Sequence, residues 1–481
     1  MYFKDLKIKN IYLLFMLLWF TGLLTFAVTR LPGGLDVDSC NYAVVAKEIL
    51  RSGNWLQLYD PVYGGVFYYH FPLCIWATAL IFKIAGVASF TAKLFSMFSG
   101  LLLVGTLFYF GKTLKNYWVG FFAGLSLLLT NHVIRLAMQC RMDIPVTLFI
   151  SLALFAFVLA EKYSRRFYLL FGIFTALAIM AKDVFGLFPP VIVFVYLVLA
   201  GKWKELFRPL FLAGLLLSVL PVLFWILLDK GSLVIPWFRW NFIHLLSSPG
   251  FNVPWHYYLW AIFTKYFYFL PLAVYGGYLA VVRARQDRDN SLLLVLIIWA
   301  VIFPLAFSFG RQKLHYFIIP MYPAASLLAG LAADGIFRES LKVKIAVVFK
   351  YILVIGTLVL LFFPLDLRSK RFVEAVEMSG EIDGILKQLD KYDFFVYKYD
   401  TAAILFYSQQ LSRVKALNSQ AELLEALAAP LREARLVFMP QEDFLALDDS
   451  TRDDYRQLFR FQDRILVIDK FTPRREVILS R

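Results

Sequence analysis

The stretch GGLDVDSCNYAVVAKEILRSGNWLQLYDPVYGGVFYYHFPL, Gly33 to Leu73, follows the first long apolar segment and decides how the chain is read. It opens on two carboxylates, Asp36 and Asp38. Tyr42, Ala46, Ile49 and Leu50 then recur at i, i+4, i+7 and i+8, which predicts a short helix with one apolar face. Ser52-Gly53 supplies its stop. Such a helix is too short to span a bilayer and carries Asn41, Lys47, Glu48 and Arg51 on its other face, so it is expected to lie along the membrane surface. Asp38 reads equally well as the helix N-cap or as a chemical group. A cap alone would not need two acids.

The composition around this loop is that of a polytopic membrane protein. Of 481 residues, 60% are hydrophobic, 18% aromatic and only 17% charged, with a mean hydropathy of +0.67. The net charge of +15 fits basic cytoplasmic loops and anionic lipid head groups, and no nucleic-acid partner is expected. Cys40, Cys74 and Cys140 match no metal-binding spacing. A disulfide stays open for them, but small buried apolar side chains are the simpler reading. Residues 11–29 are long enough to span and lack a small-residue cleavage site, so they read as a retained span.

Charge placement sets the expected topology. Lys4, Lys7 and Lys9 precede the first span, which puts the N-terminus in the cytoplasm and the acidic loop outside. At about 1.5 Å per residue, the apolar run Pro72–Ala85 covers only about two-thirds of a hydrocarbon core of roughly 30 Å. The basic connectors 111–116, 161–166, 201–208, 283–290 and 337–344 all become cytoplasmic only if that run does not cross. It is therefore read as a juxtamembrane helix of the first outer loop, residues 30–90. Ten further spans follow, near 91–111, 117–131, 145–160, 167–181, 184–200, 209–228, 258–282, 291–309, 316–336 and 344–363. The expected fold is thus a polytopic α-helical membrane domain, 1–364, with about eleven transmembrane helices. Beyond it, 393–399, 435–440 and 465–470 read as strands. Residues 419–429 read as a helix with Ser419 as cap and Glu422 three residues on, giving a small extracytoplasmic α/β domain over 365–481.

The outer connectors carry ionisable residues close to hydrocarbon, where charge is costly. They are Arg135, Arg141 and Asp143; Lys182 and Asp183; and Arg311, Lys313 and His315, followed by Tyr316. With Asp36, Asp38 and His70 they put acids and bases on one side of the membrane. Taken singly, each also fits snorkelling or pairing with a neighbour.

Five motifs in order resemble the membrane glycosyltransferases of the GT-C type, in the branch holding aminoarabinose lipid A transferase and the protein O-mannosyltransferases. Asp38-Ser39-Cys40-Asn41-Tyr42-Ala43, closed by Gly53-Asn54-Trp55, resembles the first-loop motif. His70-Phe71-Pro72-Leu73 stands where that family has Lys/His-Pro-Pro-Leu. Arg141-Met142-Asp143-Ile144-Pro145 is similar to its Arg-rich segment ending Asp-x-Pro, and Ala181-Lys182-Asp183 to its Ala/Thr-Lys-Gly turn. Lys313-Leu314-His315-Tyr316, running on to Pro320 and Tyr322-Pro323, resembles its last signature. The departures are Ser39 for the second acid, Tyr69 for a Glu before the Lys, His70 for that Lys, and Asp183 for the Gly.

The resemblance implies a sugar donor linked to a long polyprenyl phosphate, and transfer to a lipid A-like lipid, glycan or protein acceptor at the outer face, with inversion. Such a reaction needs a base for the acceptor hydroxyl and cations for the phosphate leaving group. Asp38 is the candidate base, with Asp36 orienting or replacing it, and Asp143 orienting a base or a cation. His70, Arg141, Lys182, Lys313, His315 and Tyr316 are the candidates for the donor phosphate. No cofactor is assigned. A divalent metal stays open, with its ligands unknown. The expected location is a bacterial inner membrane, with the tail domain periplasmic. A transporter or lipid flippase is the alternative, although neither internal repeats nor mid-membrane helix breaks are evident.

Overall fold

The computed structural model describes residues 34–229, 234–244, 253–286, 291–310, 313–362, 370–389, 391–430 and 433–470. The expected span 11–29, Arg311 and the connector residues 287–290 lie outside these. In chain order, α1 (Val37–Ser52) is followed by the hairpin strands β1 (Tyr59–Asp60) and β2 (Gly65–Val66), then by α2 (Leu73–Ala85) and α3 (Ser89–Leu114). Next come α4 (Tyr117–Leu128), α5 (Asn131–Ala137), α6 (Asp143–Lys162), α7 (Phe167–Lys182), α8 (Phe188–Leu199) and α9 (Pro209–Leu228). After them stand α10 (Tyr257–Tyr266), α11 (Leu270–Gln286), α12 (Leu293–Ser308), α13 (Tyr322–Ile336) and α14 (Glu339–Phe362). The tail contributes α15 (Lys370–Leu386), β3 (Tyr392–Tyr397), α16 (Thr401–Tyr407), β4 (Lys415–Leu417) and α17 (Gln420–Ala428). Strands β5 (Ala434–Pro440), β6 (Tyr455–Phe461) and β7 (Arg464–Asp469) complete it. Contacts divide the chain into one unit built from Tyr68–Ile81 and Phe90–Leu367, and another from Gly33–Phe67, Phe82–Ser89 and Arg368–Arg481.

In the first unit, five helical runs among the described residues are long and apolar enough to cross a membrane, or up to seven if each of two bent pairs is one span. One of the five, Phe167–Leu199, is not a straight rod. A Cβ on Gly186 would stand 2.1 Å from the backbone nitrogen of Ile179, so the chain folds back after Lys182. Tyr168 near the start of α7 and Tyr196 near the end of α8 accordingly both pack on Phe157. The break at 182–183 read from the sequence is thus a tight hairpin. The expected span 258–282 is broken: α10 and α11 meet at a bend of 109°. Pro271 in the first turn of α11 has no N–H to offer and disfavours helical backbone at Leu270, so the helix restarts there. The expected span 117–131 likewise ends early, and α5 turns away from α4 by 68°. Helix α2 has 13 residues, as the short run before it suggested.

In the second unit, α1 departs from the expected membrane-surface helix. Its supposed polar face is engaged by protein: Lys47 Nζ donates to the carbonyls of Leu405 at 3.0 Å and Ser408 at 2.6 Å, around the end of α16. Glu48 is buried and takes both Nε and a terminal nitrogen of Arg51 at 2.7 and 2.8 Å. Gly53 closes α1 in a left-handed conformation, φ 71°, as its place after Ser52 predicts. The five strands of the tail are ordered β4-β3-β5-β7-β6, parallel on the β4-β3-β5 side and antiparallel beyond. Strands β3, β5 and β7 lie at the three segments read as strands; β4 and β6 were not anticipated. Phe395, Val437, Met439, Ile465 and Val467 form one buried face with Leu423 and Leu427 of α17. Ser419 caps α17, and the Glu422 carboxylate reaches back to the N–H of Asn418 at 2.7 Å. All three cysteines are free and buried, so no disulfide forms.

Candidate active site

The first unit gathers charge where the start of α6, the end of α7 and the 3-10 turn His315–Met321 meet. Asp143 is the hub. Arg141 Nε donates to one of its oxygens at 2.8 Å and Lys182 Nζ to the other at 2.5 Å. All three side chains are less than 10% exposed. The Tyr316 ring lies beneath both cations, its centroid 4.2 Å from Arg141 Cζ and 5.2 Å from Lys182 Nζ. Phe185 flanks Lys182 at 4.5 Å. Buried charge is tolerated only when paired, and here one carboxylate serves two cations. Cations fixed in surroundings of low polarity can attract an anion.

His70 joins from the turn before α2. Its Nδ1 stands 2.6 Å from Asp183 Oδ2, while Oδ1 accepts the Phe71 N–H at 2.8 Å. Cys74 Sγ, one turn on, contacts the Ala181 carbonyl at 3.6 Å, so the start of α2 is held to the end of α7. Beside His70 lies a cavity of about 60 Å³ walled by Tyr68, Phe71, Trp225 and Trp237, with Asp229 also at its wall.

The remaining candidates are placed differently. His315 Nδ1 is 3.1 Å from Nε2 of His132, whose Nδ1 is 2.9 Å from the Tyr322 hydroxyl. Lys313 Nζ donates to the carbonyls of Gly310 at 2.8 Å and Val253 at 3.1 Å. Asp36 and Asp38 belong to the second unit. There the cap reading of Asp38 is corrected: Asp36 is the N-cap, accepting the Ser39 N–H at 2.8 Å, and Asp38 stands half-buried in the first turn. The helix begins at Val37, two residues earlier than the capping reading of Asp38 requires. Among the described residues no three His, Cys, Asp or Glu side chains come together to hold a metal.

Two residues of this arrangement had no role in the sequence reading. Asp183 was visible as the non-glycine member of the Ala181-Lys182-Asp183 turn. His132 is one of only five histidines and opens the connector that leads to Arg141. Neither motif says what its side chain touches.

The fold is similar to that of solved membrane transferases, and the resemblance read from the motifs is borne out by sequence relatives. The crystal structure of ArnT from Cupriavidus metallidurans in the apo state superposes with a TM-score of 0.73 at 18% identity, over 97% of this chain and 98% of that one. The same protein bound to undecaprenyl phosphate gives 0.72 at 17% identity, over 97% and 99%. The family model for dolichyl-phosphate-mannose-protein mannosyltransferase matches residues 69–225. The undecaprenyl phosphate-alpha-4-amino-4-deoxy-L-arabinose arabinosyl transferase of Shewanella sediminis is 28% identical over 336 residues. That match takes in 62% of this chain and 56% of the relative, so the chain spans little more than half the length of the curated relatives it matches.

Proposed function

We propose that this chain is a membrane glycosyltransferase that moves a sugar from a polyprenyl-phosphate donor to a lipid A-like lipid, a glycan or a protein on the outer face of the membrane. The observation that carries the reading is the Asp143 hub, two buried cations on one carboxylate stacked over Tyr316. Displacement at the anomeric carbon leaves a phosphate whose charge grows as the bond breaks. Cations already desolvated and fixed stabilise that charge more than mobile surface lysines do. Arg141 and Lys182 take this role, with His70, Lys313, His315 and Tyr316 as further donor-phosphate contacts. Asp143 holds the two cations in place.

Asp38 is the base that receives the acceptor's proton. Asp36, occupied as the helix cap, orients the start of α1. The isoprenoid tail calls for an apolar groove between spans, and the exposed apolar side chains of α9 fit that need, including Leu216, Phe224 and Leu227. In this reading the chain has about eleven spans. The connectors 111–116, 161–166, 201–208 and 283–290 are cytoplasmic, and the tail domain lies in the periplasm of a bacterial inner membrane.

The test is release of polyprenyl phosphate from a donor labelled in the lipid, by the purified full chain with extracted cell-envelope lipids as acceptors. Acceptor-dependent release is expected. Movement of intact donor across a bilayer without release would instead identify a flippase.

A further inference from the structure

Asp183 adopts φ 37° and ψ −113°, a left-handed conformation that glycine enters freely and a branched carboxylate side chain does not. The residue is buried, and both of its carboxylate oxygens are used. Oδ1 accepts the Phe71 N–H and Oδ2 faces His70 Nδ1 at 2.6 Å. An ionised carboxylate can only accept, so it is Nδ1 of His70 that carries the proton in this contact. The plane of the imidazole is then set by this contact, and His70 itself lines the aromatic cavity next to Trp225.

We propose that Asp183 is a positioning residue for His70, holding the ring in one orientation with Nδ1–H on the carboxylate, so that the doubly protonated ring presents Nε2–H to the phosphate of a polyprenyl-phosphate ligand. This rests on the donor-phosphate role given to His70 above. The two departures at these positions then make one device. A lysine at 70 would bring its own charge on a flexible stem and need no group behind it, and a glycine at 183 would make the turn without strain. An imidazole at 70 is aimed by whatever holds its other nitrogen. Here that group is Asp183, kept at a backbone angle that a glycine would fit better.

The test is binding of radiolabelled undecaprenyl phosphate to the detergent-solubilised full chain, with thermal melting measured on the same samples. Asp183→Asn matches the aspartate in shape, so it meets the same backbone angle, and it keeps an oxygen for Phe71 N–H. Its amide N–H faces His70 Nδ1 and cannot accept from it, so a ring protonated on both nitrogens is no longer supported. Its binding is expected to weaken about tenfold or more while its melting stays near that of the wild type. Asp183→Gly is expected to bind as weakly, and His70→Lys combined with Asp183→Gly to return to within about threefold of the wild type. If Asp183→Asn binds as the wild type does while His70→Ala is weak, His70 keeps its role and the positioning role of Asp183 is overturned. A double variant no better than Asp183→Gly alone also overturns it, since the aspartate would then serve the fold only. Undiminished binding by His70→Ala would remove His70 from the phosphate, which is a failure of the earlier reading and not of the pairing.

Discussion

Asp143 Oδ1 and Lys182 Nζ lie 2.5 Å apart with neither side chain open to solvent, and this contact ties the first turn of α6 to the last turn of α7. Removing the carboxylate leaves Lys182 and Arg141 as neighbouring buried cations. Asp143→Asn is therefore expected to destabilise the protein by about 3–5 kcal/mol, and adding Lys182→Met to recover a good part of the loss. Denaturant unfolding in detergent measures both. An Asp143→Asn protein as stable as the wild type would mean that the pair carries no energetic weight.

Arg141 differs from Lys182 in carrying a planar guanidinium, whose Cζ lies 4.2 Å from the Tyr316 ring centroid. Arg141→Ala should raise the donor KM by a factor equivalent to about 1.5–3 kcal/mol, the usual worth of a charge-assisted bond, and leave membrane insertion intact. Arg141→Lys should recover only part of this, because an ammonium cannot stack or bind in two directions. Unchanged donor kinetics in both variants would take Arg141 out of the site.

Much of this was legible in the sequence, for reasons that differ by element. The stop at Gly53 follows from local backbone chemistry, so Ser52-Gly53 was enough to place it. The turn after Lys182 was legible from charge parity, although the sequence could not show that an aspartate would accept a left-handed angle there. The cap was misplaced between Asp36 and Asp38 because both satisfy the same rule, and only the register of the first turn separates them. Lys47 looked like solvent-facing polarity, since its partners are carbonyls more than 350 residues away that no local pattern encodes. Lys313 shows the same limit: its chemistry was readable, but not its hold on Gly310 and Val253.

The expected topology makes a direct prediction for introduced cysteines, since the three native ones are buried and give little background. Tyr163, 68% exposed in the connector after α6, and Leu445, 55% exposed in the tail, are suitable positions. A membrane-impermeant maleimide added to spheroplasts should label Leu445→Cys and leave Tyr163→Cys unlabelled until the membrane is opened. The reverse pattern would invert the whole parity assignment.

Asp60 gives a pH signature in the first loop. Burial raises its carboxyl from the ordinary 3.8 to about 6, outweighing the Val62 and Tyr63 N–H groups, which favour the ionised form. Its Oδ2 is buried with no partner. A carboxyl raised on folding stabilises the folded state below its unfolded pKa, and that contribution is lost as pH climbs through the folded value. Between pH 4 and 6.5 the wild type should thus lose roughly 2 kcal/mol relative to Asp60→Asn, which does not titrate. Denaturation of both proteins across that range checks the difference, and parallel pH curves would show that Asp60 stays ionised in the fold.

The last prediction separates the two acids that open the loop. Asp36 has the capping task, accepting the Ser39 N–H, and Asp38 lies half-buried in the first turn. Asparagine caps a helix about as well as aspartate, so Asp36→Asn should keep turnover near that of the wild type. Asp36→Ala, which loses the cap, should cost about 1 kcal/mol of stability with little loss of chemistry. Asp38→Asn preserves shape and removes basicity. Turnover should fall about 10²–10⁴-fold while donor binding is largely kept, because a base acts in the transition state and not on the bound donor. A carboxylate is a weak base towards an alcohol. It can assist only if proton transfer accompanies departure of the phosphate, and the solvent isotope effect on turnover should then exceed that of donor binding. Full turnover in Asp38→Asn would end its assignment as the base. Loss of turnover in Asp36→Asn, with Asp38→Asn active, would transfer that role to the cap residue.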